Sequence, residues 1–310
     1  MDRIAFFGTS TVAIPTLNVL ANSSRNVVAV FCNPDRPKGR GRHLEAPPVK
    51  HTAQKLGLPC YQPERWSDPN MRKLWESLDI DLAIVVAYGY LLPSWVLDKC
   101  KLGIWNLHFS ILPRWRGASP VNYAILMGDD ATGVSLMRLT KNLDEGPILA
   151  QCSRPITVND NASGLLTSLS LDAANLLLDN ITILSAGTGI LAHQDPTKAT
   201  FAPKLNKAMA KLKISQPAIK LHRQIRAMQP WPGAEFMMHD SLIKIHSVGS
   251  TIRTDPNQPG TLSWNQQSVW LTAGDNNALE LTELQRSGKT IRPAPQTLQF
   301  WGNTGRTSID

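Results

Sequence analysis

Residues 82–88 form an unbroken apolar run, and this run limits the possible folds more than any other feature of the chain. A strand with one face in water alternates apolar and polar residues, whereas a strand buried on both faces of a parallel sheet is continuously apolar. Strand-like segments at residues 4–7 and 27–31 alternate with helix-like segments at residues 12–20 and 70–78. The sequence therefore predicts an α/β fold with a Rossmann-like, doubly wound and mostly parallel sheet.

The turn after the first strand argues against a dinucleotide cofactor. It reads Gly8-Thr9-Ser10-Thr11-Val12-Ala13. This lacks the Gly-x-Gly-x-x-Gly spacing that lets a pyrophosphate approach a helix N-terminus. Gly8 is expected only to permit a tight turn, and a nicotinamide oxidoreductase is disfavoured.

Three polar residues, Asn106, His108 and Ser110, alternate with apolar ones after the largely apolar residues 102–105. Residues two apart in a strand face the same side, so these three would share one face if the strand continues to Ser110. Pro113 then ends the strand, because it has no amide hydrogen. Open α/β sheets bind their ligands at the carboxyl ends of strands. The alternative is a strand end that contacts water, with a histidine that bonds to a neighbouring carbonyl.

Two carboxylates, Asp144 and Glu145, lie in a turn that Gly146 closes, after a strand-like segment at residues 132–139. Asp144 directly follows the apolar Leu143, so it is predicted to be held against the core, and Glu145 is predicted to be solvated. A surface turn is the alternative for both.

The net charge of +8 is concentrated in one segment. Between Thr200 and Met228 there are seven basic residues and no Asp or Glu, and subtracting these seven charges from +8 leaves +1 for the rest of the chain. The seven are Lys204, Lys207, Lys211, Lys213, Lys220, Arg223 and Arg226. A localised basic segment attracts polyanions, of which nucleic acid is the commonest in a cytoplasm. The alternative is a solvated linker that its lysines keep soluble.

Residues 33–43 carry a second group of basic residues, between the second strand and the next helix. Two prolines and two glycines make regular structure there unexpected. The basic residues Arg36, Lys38, Arg40 and Arg42 suggest a mobile arm that reaches for phosphates. The alternative is a disordered loop without a function.

The second half of the chain predicts a smaller domain. A leucine-rich helix at residues 163–184, with a candidate break at Asp179-Asn180, is expected to close the first domain. A short basic helix follows at about residues 218–228. Short strand-like segments separated by Gly, Pro, Asn and Asp then suggest a small barrel. The predicted divisions are a catalytic domain at residues 1–189, a linker at residues 190–205 and a C-terminal barrel domain at residues 206–310.

Length and composition fit a two-domain protein of 310 residues. The longest apolar stretch, at residues 82–92, is too short to span a bilayer, so no membrane segment is predicted. The N-terminus shows neither a signal-peptide nor a transit-peptide pattern, and a cytoplasmic location is expected. The four cysteines form no Cys-x-x-Cys pair and are expected to be reduced and buried. They are Cys32, Cys60, Cys100 and Cys152.

Four motifs in order resemble the formyltetrahydrofolate-dependent formyltransferases. Two of them are Asn106-x-His108-x-Ser110-Ile111-Leu112-Pro113-x-x-Arg116-Gly117 and Leu143-Asp144-x-Gly146. The other two are Pro34-Asp35-Arg36-Pro37-x-Gly39-Arg40-Gly41 and Arg226-Ala227-x-x-Pro230-Trp231-Pro232-Gly233. These last two resemble the members of the family that formylate methionyl-tRNA. One departure is Leu212-Lys213-Ile214, where the family commonly has Ile-Asp-Trp, and this exchange of an acid for a base favours an RNA partner.

The resemblance implies a monomeric enzyme of translation initiation that transfers the formyl group of 10-formyltetrahydrofolate to the amino group of initiator methionyl-tRNA. Asn106 and a protonated His108 could stabilise the oxyanion of the tetrahedral intermediate. Asp144 would pair with His108, favour its protonated form, and help to remove the amine proton directly or through a water. This acyl transfer needs neither a metal nor a covalent nucleophile.

Ser110 could also be read as a nucleophile, but no Gly-x-Ser-x-Gly elbow surrounds it. The resemblance therefore assigns Ser110, Ile111, Leu112 and Pro113 to the folate co-substrate. It also implies that the C-terminal domain is an OB-like β-barrel, an architecture that often binds oligonucleotides. The residues expected to contact tRNA are Arg36, Lys38, Arg40, Arg42, Lys204, Lys207, Lys211, Lys220, Arg223 and Arg226.

Two other kinds of function stay open. A formyltransferase of the same fold could act on a purine precursor or an amino sugar nucleotide. The purine type would not need a basic second domain, and the sugar-nucleotide type would not need the arginine-rich loop. A non-enzymatic RNA-binding protein would have no reason to combine Asn106, His108 and Asp144.

Overall fold

The computed structural model describes residues 2–38 and 43–309, which fall into two compact units. Unit 1 contains the residues up to Gly117 together with Thr132–Arg154 and Leu166–Phe201. Unit 2 contains Ala118–Ala131, Pro155–Leu165 and the residues from Ala202 onward. Of the predicted linker, residues 190–201 therefore belong to unit 1 and residues 202–205 to unit 2.

The chain has the following strands and helices. The strands are β1 (Arg3–Gly8), β2 (Asn26–Phe31), β3 (Arg36–Lys38), β4 (His43–Glu45), β5 (Cys60–Tyr61), β6 (Leu82–Val86), β7 (Ile104–His108), β8 (Ala131–Arg138), β9 (Ile148–Pro155), β10 (Ala234–Met238), β11 (Ser241–Thr254), β12 (Thr261–Trp264), β13 (Val269–Thr272), β14 (Asn277–Arg286), β15 (Arg292–Pro293) and β16 (Gly305–Ser308). The α-helices are α1 (Ile14–Asn22), α2 (Pro48–Lys55), α3 (Pro69–Leu78), α4 (Ser94–Leu97), α5 (Pro120–Met127), α6 (Ala162–Ala186), α7 (Ala218–Ala227) and α8 (Ala294–Leu298). Short 3-10 helices lie at Thr11–Ala13, Pro196–Lys198, Lys207–Ala210 and Gln299–Trp301.

The large sheet of unit 1 confirms the predicted Rossmann-like fold. Its strand order is β5-β2-β1-β6-β7-β8-β9, and the first five strands run parallel to one another. Strand β8 is antiparallel to β7. All five residues of β6 are buried, which explains the apolar run from which the fold was predicted.

Aromatic side chains fill the core on one face of this sheet. Phe7 of β1 stacks on Phe31 of β2 with the ring centroids 4.8 Å apart. Trp66, Trp75 and Tyr88 pack around Phe7 at centroid distances of 5.3 to 6.0 Å. Aromatic pairs in these offset and edge-on geometries stabilise a core beyond the area that they bury. The sheet is therefore a rigid support for the loops at its carboxyl edge.

Two predictions about local structure in unit 1 were wrong. The basic loop contains a two-stranded antiparallel sheet, β3 and β4, in which Arg36 lies opposite Glu45. Prolines suggested irregular structure there, but an edge strand tolerates Pro37 because its missing N–H needs no partner. Helix α6 runs without a break, because Asn180 donates its side-chain amide to the Leu176 carbonyl at 2.8 Å and leaves the helix intact.

Unit 2 contains a curled antiparallel sheet with the strand order β10-β11-β14-β13-β12-β16, as expected for the OB-like domain. Strand β11 changes register against β14 at three points between Ile245 and Ile252. Such bulges bend a strand and increase its twist, so that a long strand can curl around a small core. Helix α7 packs against this sheet through Leu221 and Ile225, both fully buried.

Within residues 2–38 and 43–309, no helix is long and apolar enough to cross a membrane. The four cysteines carry no disulfide bond, and Cys60 and Cys152 are only half-buried rather than buried as predicted.

Candidate active site and candidate RNA-binding groove

Strand β7 ends at His108, which places two of the predicted catalytic side chains, Asn106 and His108, at the carboxyl end of this strand in the unit 1 sheet. Asn106 lies opposite Val85 of β6 and Met137 of β8. Its side chain is half-buried and hydrogen-bonds to no other group in the part of the chain that the structure describes. The amide can therefore donate to a ligand without breaking a contact of the fold.

His108 is 6% exposed, and protein groups face both of its ring nitrogens. Nε2 lies 2.9 Å from the carbonyl oxygen of Trp115. A carbonyl oxygen only accepts, so Nε2 carries a hydrogen and donates it. Nδ1 faces the carboxylate Oδ2 of Asp144 at 3.7 Å. His108 thus bonds to a backbone carbonyl, as the alternative reading of the sequence expected, and also faces the carboxylate that the resemblance assigned to it.

Asp144 is buried, whereas the side chain of Glu145 is 43% exposed, so the predicted contrast between the two carboxylates is confirmed. Oδ2 of Asp144 accepts a hydrogen bond of 2.8 Å from the Gly117 amide. The backbone φ of Asp144 is 51°, in the left-handed region that a residue with a side chain seldom occupies. Non-glycine residues in this region cluster at functional sites, where surrounding contacts hold them.

Ser110 does not share a strand face with Asn106 and His108, and this prediction was wrong. The strand stops at His108, because the Ser110 amide donates to the His108 carbonyl at 2.9 Å and starts a turn. The Ser110 hydroxyl is fully buried and donates to the Arg114 carbonyl at 2.6 Å. It is therefore engaged in holding the loop that follows the strand.

Residues on β8 and β9 that the sequence did not single out hold the loop of residues 110–113. The Ser135 hydroxyl donates to the Ser110 carbonyl at 2.6 Å and accepts from the Leu112 amide at 3.0 Å. The Gln151 amide donates to the Leu112 carbonyl at 3.1 Å and to the Ser135 hydroxyl at 2.7 Å. No motif marks these two residues, and only their place on neighbouring strands of the sheet could have indicated them. The loop assigned to the folate is thus fixed beside His108.

The basic segment lines a groove within unit 2, between α5, α7 and the residues before α7. The groove has a volume of about 560 Å³. Its basic side chains are Lys211, Lys213, Lys220 and Arg223, and its uncharged polar ones include Asn206, Gln216 and Gln224. No carboxylate lines it among the described residues. A groove with this charge can bind phosphate groups of a polyanion.

The other basic residues predicted to contact tRNA have different surroundings. Lys204 and Lys207 are exposed in unit 2. Nη1 of Arg226 donates to the carbonyls of Thr157 and Asp160 at 3.0 and 2.7 Å, so its charge holds a loop of unit 2. Burial lowers the pKa of Arg226. Arg226 therefore holds this loop and does not line the groove.

The early basic loop is only partly described. Arg36 is exposed, and its Nη2 donates to the Tyr90 hydroxyl at 3.1 Å. Lys50 bonds to Asp35 at 2.8 Å, and this hydrogen bond holds the pKa of the Asp35 carboxyl below its usual value. The backbone of Lys38 pairs with β4, whereas Arg40 and Arg42 lie outside the described residues.

Comparisons with known proteins cover both units. Residues 2–181 match the family Formyl transferase, and residues 204–300 match the family Formyl transferase, C-terminal domain. A methionyl-tRNA formyltransferase of Xanthomonas axonopodis pv. citri is 40% identical over 288 residues, which cover 92% of this chain and 93% of that protein. A methionyl-tRNA formyltransferase of Legionella pneumophila is 35% identical over 306 residues, which cover 99% of this chain and 96% of that protein.

A solved structure shares the fold. It is an N-formyltransferase from Helicobacter canadensis in complex with folinic acid and dTDP-3-aminofucose. The TM-score is 0.70 at 18% sequence identity, and the match covers 91% of this chain and 99% of that one. Identity this low shows a common architecture and does not carry over a substrate.

Proposed function

The chain belongs to the formyl transferase family, among the methionyl-tRNA formyltransferases, and from this membership we propose that it formylates initiator methionyl-tRNA with 10-formyltetrahydrofolate. The observation that carries the proposal is the similarity to these enzymes over almost the whole chain, at 35% identity over 99% of it in one case and 40% over 92% in another. The product is N-formylmethionyl-tRNA, the substrate of translation initiation.

We assign the chemistry to unit 1. The amino group of methionine attacks the formyl carbon, and the carbonyl oxygen gains negative charge as the tetrahedral intermediate forms. The Asn106 amide, which has no partner among the described residues, donates a hydrogen bond to this oxygen. Donors fixed in place before the reaction stabilise such an oxyanion far better than water does. The folate is consumed in the reaction and is therefore a substrate.

The resemblance implied a protonated His108 as an oxyanion donor, but in the structure its Nε2 donates to the Trp115 carbonyl and its Nδ1 faces Asp144. We therefore assign His108, together with Asp144, to the proton transfers. The attacking amine must lose a proton, and the folate nitrogen that leaves must gain one. Asp144 lies 3.7 Å from His108 Nδ1, and its Oδ2 is fixed by the Gly117 amide, so the pair can take the proton from the amine directly or through a water. The proton then passes to the leaving nitrogen when the intermediate collapses. No covalent intermediate with the protein is required.

We assign the folate to the loop of residues 110–113 and the tRNA to unit 2. The loop is fixed beside His108 by Ser135 and Gln151, so a 10-formyltetrahydrofolate bound against it would lie next to the catalytic residues. The groove of unit 2 carries four cationic side chains, as phosphate binding requires. The protein is expected to act as a monomer.

The test is incubation of the protein with 10-formyltetrahydrofolate and initiator methionyl-tRNA, followed by mass analysis of the released aminoacyl group. The expected result is a mass gain of one formyl group on the methionine. A parallel reaction contains a dTDP-linked amino sugar in place of the tRNA, because the Helicobacter canadensis structure holds such a compound. Formylation of the sugar nucleotide without formylation of the tRNA would contradict the proposal.

A further inference from the structure

The side chain of Gln194 joins the two loops that hold His108 and Asp144. Its Nε2 donates to the backbone carbonyls of Asp144 and Gly146, both at 2.8 Å. Its Oε1 accepts from Nε and Nη2 of Arg116 at 3.1 and 2.9 Å. An amide suits this position because one end only donates and the other only accepts. A carboxylate or an apolar side chain would lose contacts on at least one side.

Arg116 lies between the two peptide groups that contact the catalytic pair. It is 3% exposed, and its third nitrogen pairs with Glu145 at 3.1 Å. The carbonyl of Trp115, the residue before it, accepts the hydrogen of His108. The amide of Gly117, the residue after it, donates to the carboxylate of Asp144. A buried guanidinium with all its nitrogens engaged fixes the chain on both sides of itself.

The backbone of these loops requires such contacts. Asp144 has a φ of 51° and Trp115 a φ of 63°, a region that residues with a Cβ seldom adopt. Such conformations persist where the surroundings determine them, and they cluster at functional sites. At Gly146 a Cβ would overlap the Arg138 carbonyl, so the turn after Asp144 has no room for a side chain. The carbonyls of this turn are the ones to which Gln194 donates.

The segment that contains Gln194 is fastened to the same loops at both ends. Ala192 exchanges two backbone hydrogen bonds of 2.8 Å with Ile148, which follows the Asp144 turn. The Arg116 amide donates to the Thr200 carbonyl at 2.9 Å. Although the sequence predicts a linker here, these residues of unit 1 hold Gln194 at a fixed place beside the catalytic pair.

We propose that Gln194, together with Arg116, is a positioning residue for formyl transfer that sets the separation and orientation of His108 and Asp144. The inference rests on the proposed function of the site. Gln194 donates to the backbone carbonyl of Asp144, so Gln194 would affect the reaction through the position of Asp144. A displacement of catalytic groups by about 1 Å can lower the rate by about two orders of magnitude. Loss of a positioning residue is therefore expected to lower the rate by up to about this factor.

Single-turnover formylation of Gln194→Met and Gln194→Glu tests this at saturating folate and tRNA. Met keeps the length of the side chain and removes all four hydrogen bonds, whereas Glu keeps an acceptor for Arg116 and loses the donor to the two carbonyls. Both rates are expected to fall roughly tenfold to a hundredfold. The KM values for both substrates should change by less than about twofold. Gln285→Met is the matched control, because this half-buried glutamine of unit 2 also donates to a backbone carbonyl, that of Lys289, at 2.7 Å.

A second measurement separates positioning from a general structural role. If Gln194 acts through Asp144, Gln194→Met should cause little further loss of rate in an Asp144→Asn background, because residues that act as a unit are non-additive. Arg116→Lys, which keeps the charge beside Glu145 but cannot form the forked contact, should reduce the rate in the same way.

Three results would overturn the inference. They are an unchanged single-turnover rate in folded Gln194→Met, a rise in KM alone, and a full additive loss in the Asp144→Asn background. If the Gln194 variants do not fold, an unchanged rate in Arg116→Lys overturns it. Wild-type protein is assayed in parallel, and its failure to formylate methionyl-tRNA would reject the proposed function instead.

Discussion

Each unit buries a histidine, and the surroundings of the two are opposite. His108 in unit 1 faces a carboxylate at 3.7 Å and lies two residues from the open amide of Asn106. His222 in unit 2 donates from Nε2 to the Gly249 carbonyl at 3.0 Å, and its Nδ1 is buried without a partner among the described residues. Burial, together with the charges of Arg226 and Arg223, lowers the pKa of His222 to about 4.

The charged groups around the two side chains distinguish a catalytic histidine from a structural one. A carboxylate beside a histidine gives the pair a place to hold and release a proton, which acid–base chemistry requires. Arginines beside a buried histidine keep it neutral, so that it serves only as a packed, hydrogen-bonded side chain. The histidine of unit 1 therefore has the surroundings of a catalytic residue. The histidine of unit 2 has those of a structural residue that packs beneath basic side chains.

The largest expected effect is on the chemical step. His108→Ala, Asp144→Asn and Asn106→Ala should each lower the single-turnover rate of formylation roughly a hundredfold or more, because each removes a group assigned to the oxyanion or to proton transfer. Binding of folate and tRNA should change far less. Rapid-quench formylation with excess enzyme measures the rate.

His222→Gln is the control for that comparison. Glutamine can still donate to the Gly249 carbonyl but cannot titrate. The single-turnover rate of the folded variant should equal that of the wild type. A loss of rate in His222→Gln as large as in His108→Ala would contradict the division between the two histidines.

The next effect is on stability in acid. The folded-state pKa of His222 is about 4, below the usual value of about 6.5, so the unfolded chain binds more protons between these values. The contribution of His222 to stability is therefore complete above about pH 6.5 and falls as the pH drops toward 4, by roughly 3 kcal/mol in total. Urea unfolding of the whole protein at about pH 7, pH 5 and pH 4 measures this.

His222→Gln should show a weaker dependence on pH over the same range. The wild type and the variant differ in one titratable group, so the difference between their two pH dependences belongs to His222. Equal dependences would show that other groups account for the acid sensitivity and that His222 is not held neutral.

The sequence predicted the fold and the meeting of His108 with Asp144, but not the groups that orient them. The run at residues 82–88 and the alternation of strands and helices identify a parallel sheet, because burial on both faces leaves a clear pattern. Gln194 lies 50 residues from Asp144. A contact made by one side chain across such a distance leaves no periodicity, so the sequence predicts only a linker around Gln194.

The position of Ser110 was wrong for a related reason. Alternation predicts a common face only while a strand continues, and one hydrogen bond from the Ser110 amide to the His108 carbonyl ends it. Similarly, prolines and glycines predicted an irregular loop around Arg36, although a short two-stranded sheet at an edge tolerates them. Local composition does not determine such short elements, because their pairing depends on the rest of the fold.

A third prediction concerns the groove of unit 2. Replacing Lys211, Lys213 and Lys220 with Ala should weaken tRNA binding and reduce the slope of log affinity against log salt by roughly one for each lysine that contacts a phosphate. Filter binding of initiator methionyl-tRNA at several salt concentrations measures the slope. Formylation at saturating tRNA should continue, because none of the three belongs to unit 1.

The matched control replaces three exposed lysines of unit 1, Lys55, Lys73 and Lys99, with Ala. It changes the net charge by the same amount, so a general effect of charge would appear equally in both triple variants. The slope should stay at the wild-type value in this control. If the two triple variants have the same slope, the groove is not the tRNA-binding surface.

The smallest effect is expected at Arg36. This residue tests whether the tRNA contacts are confined to unit 2 or include a residue of the catalytic unit 1. Arg36 belongs to unit 1 but is exposed and basic, and among the described groups only the Tyr90 hydroxyl bonds to its guanidinium. If it contacts a phosphate of the tRNA, Arg36→Ala should flatten the salt slope by up to about one and leave folate binding unchanged. Arg40→Ala, in the same loop, should do the same. Tyr90→Phe removes the bond to Arg36 and keeps the charge of Arg36, so the slope of this variant should match the wild type.

If an arginine reads a base instead, the slope holds while the preference for initiator over elongator tRNA is lost. Wild-type behaviour of both arginine variants on both tRNAs at every salt concentration would leave tRNA binding to unit 2 alone.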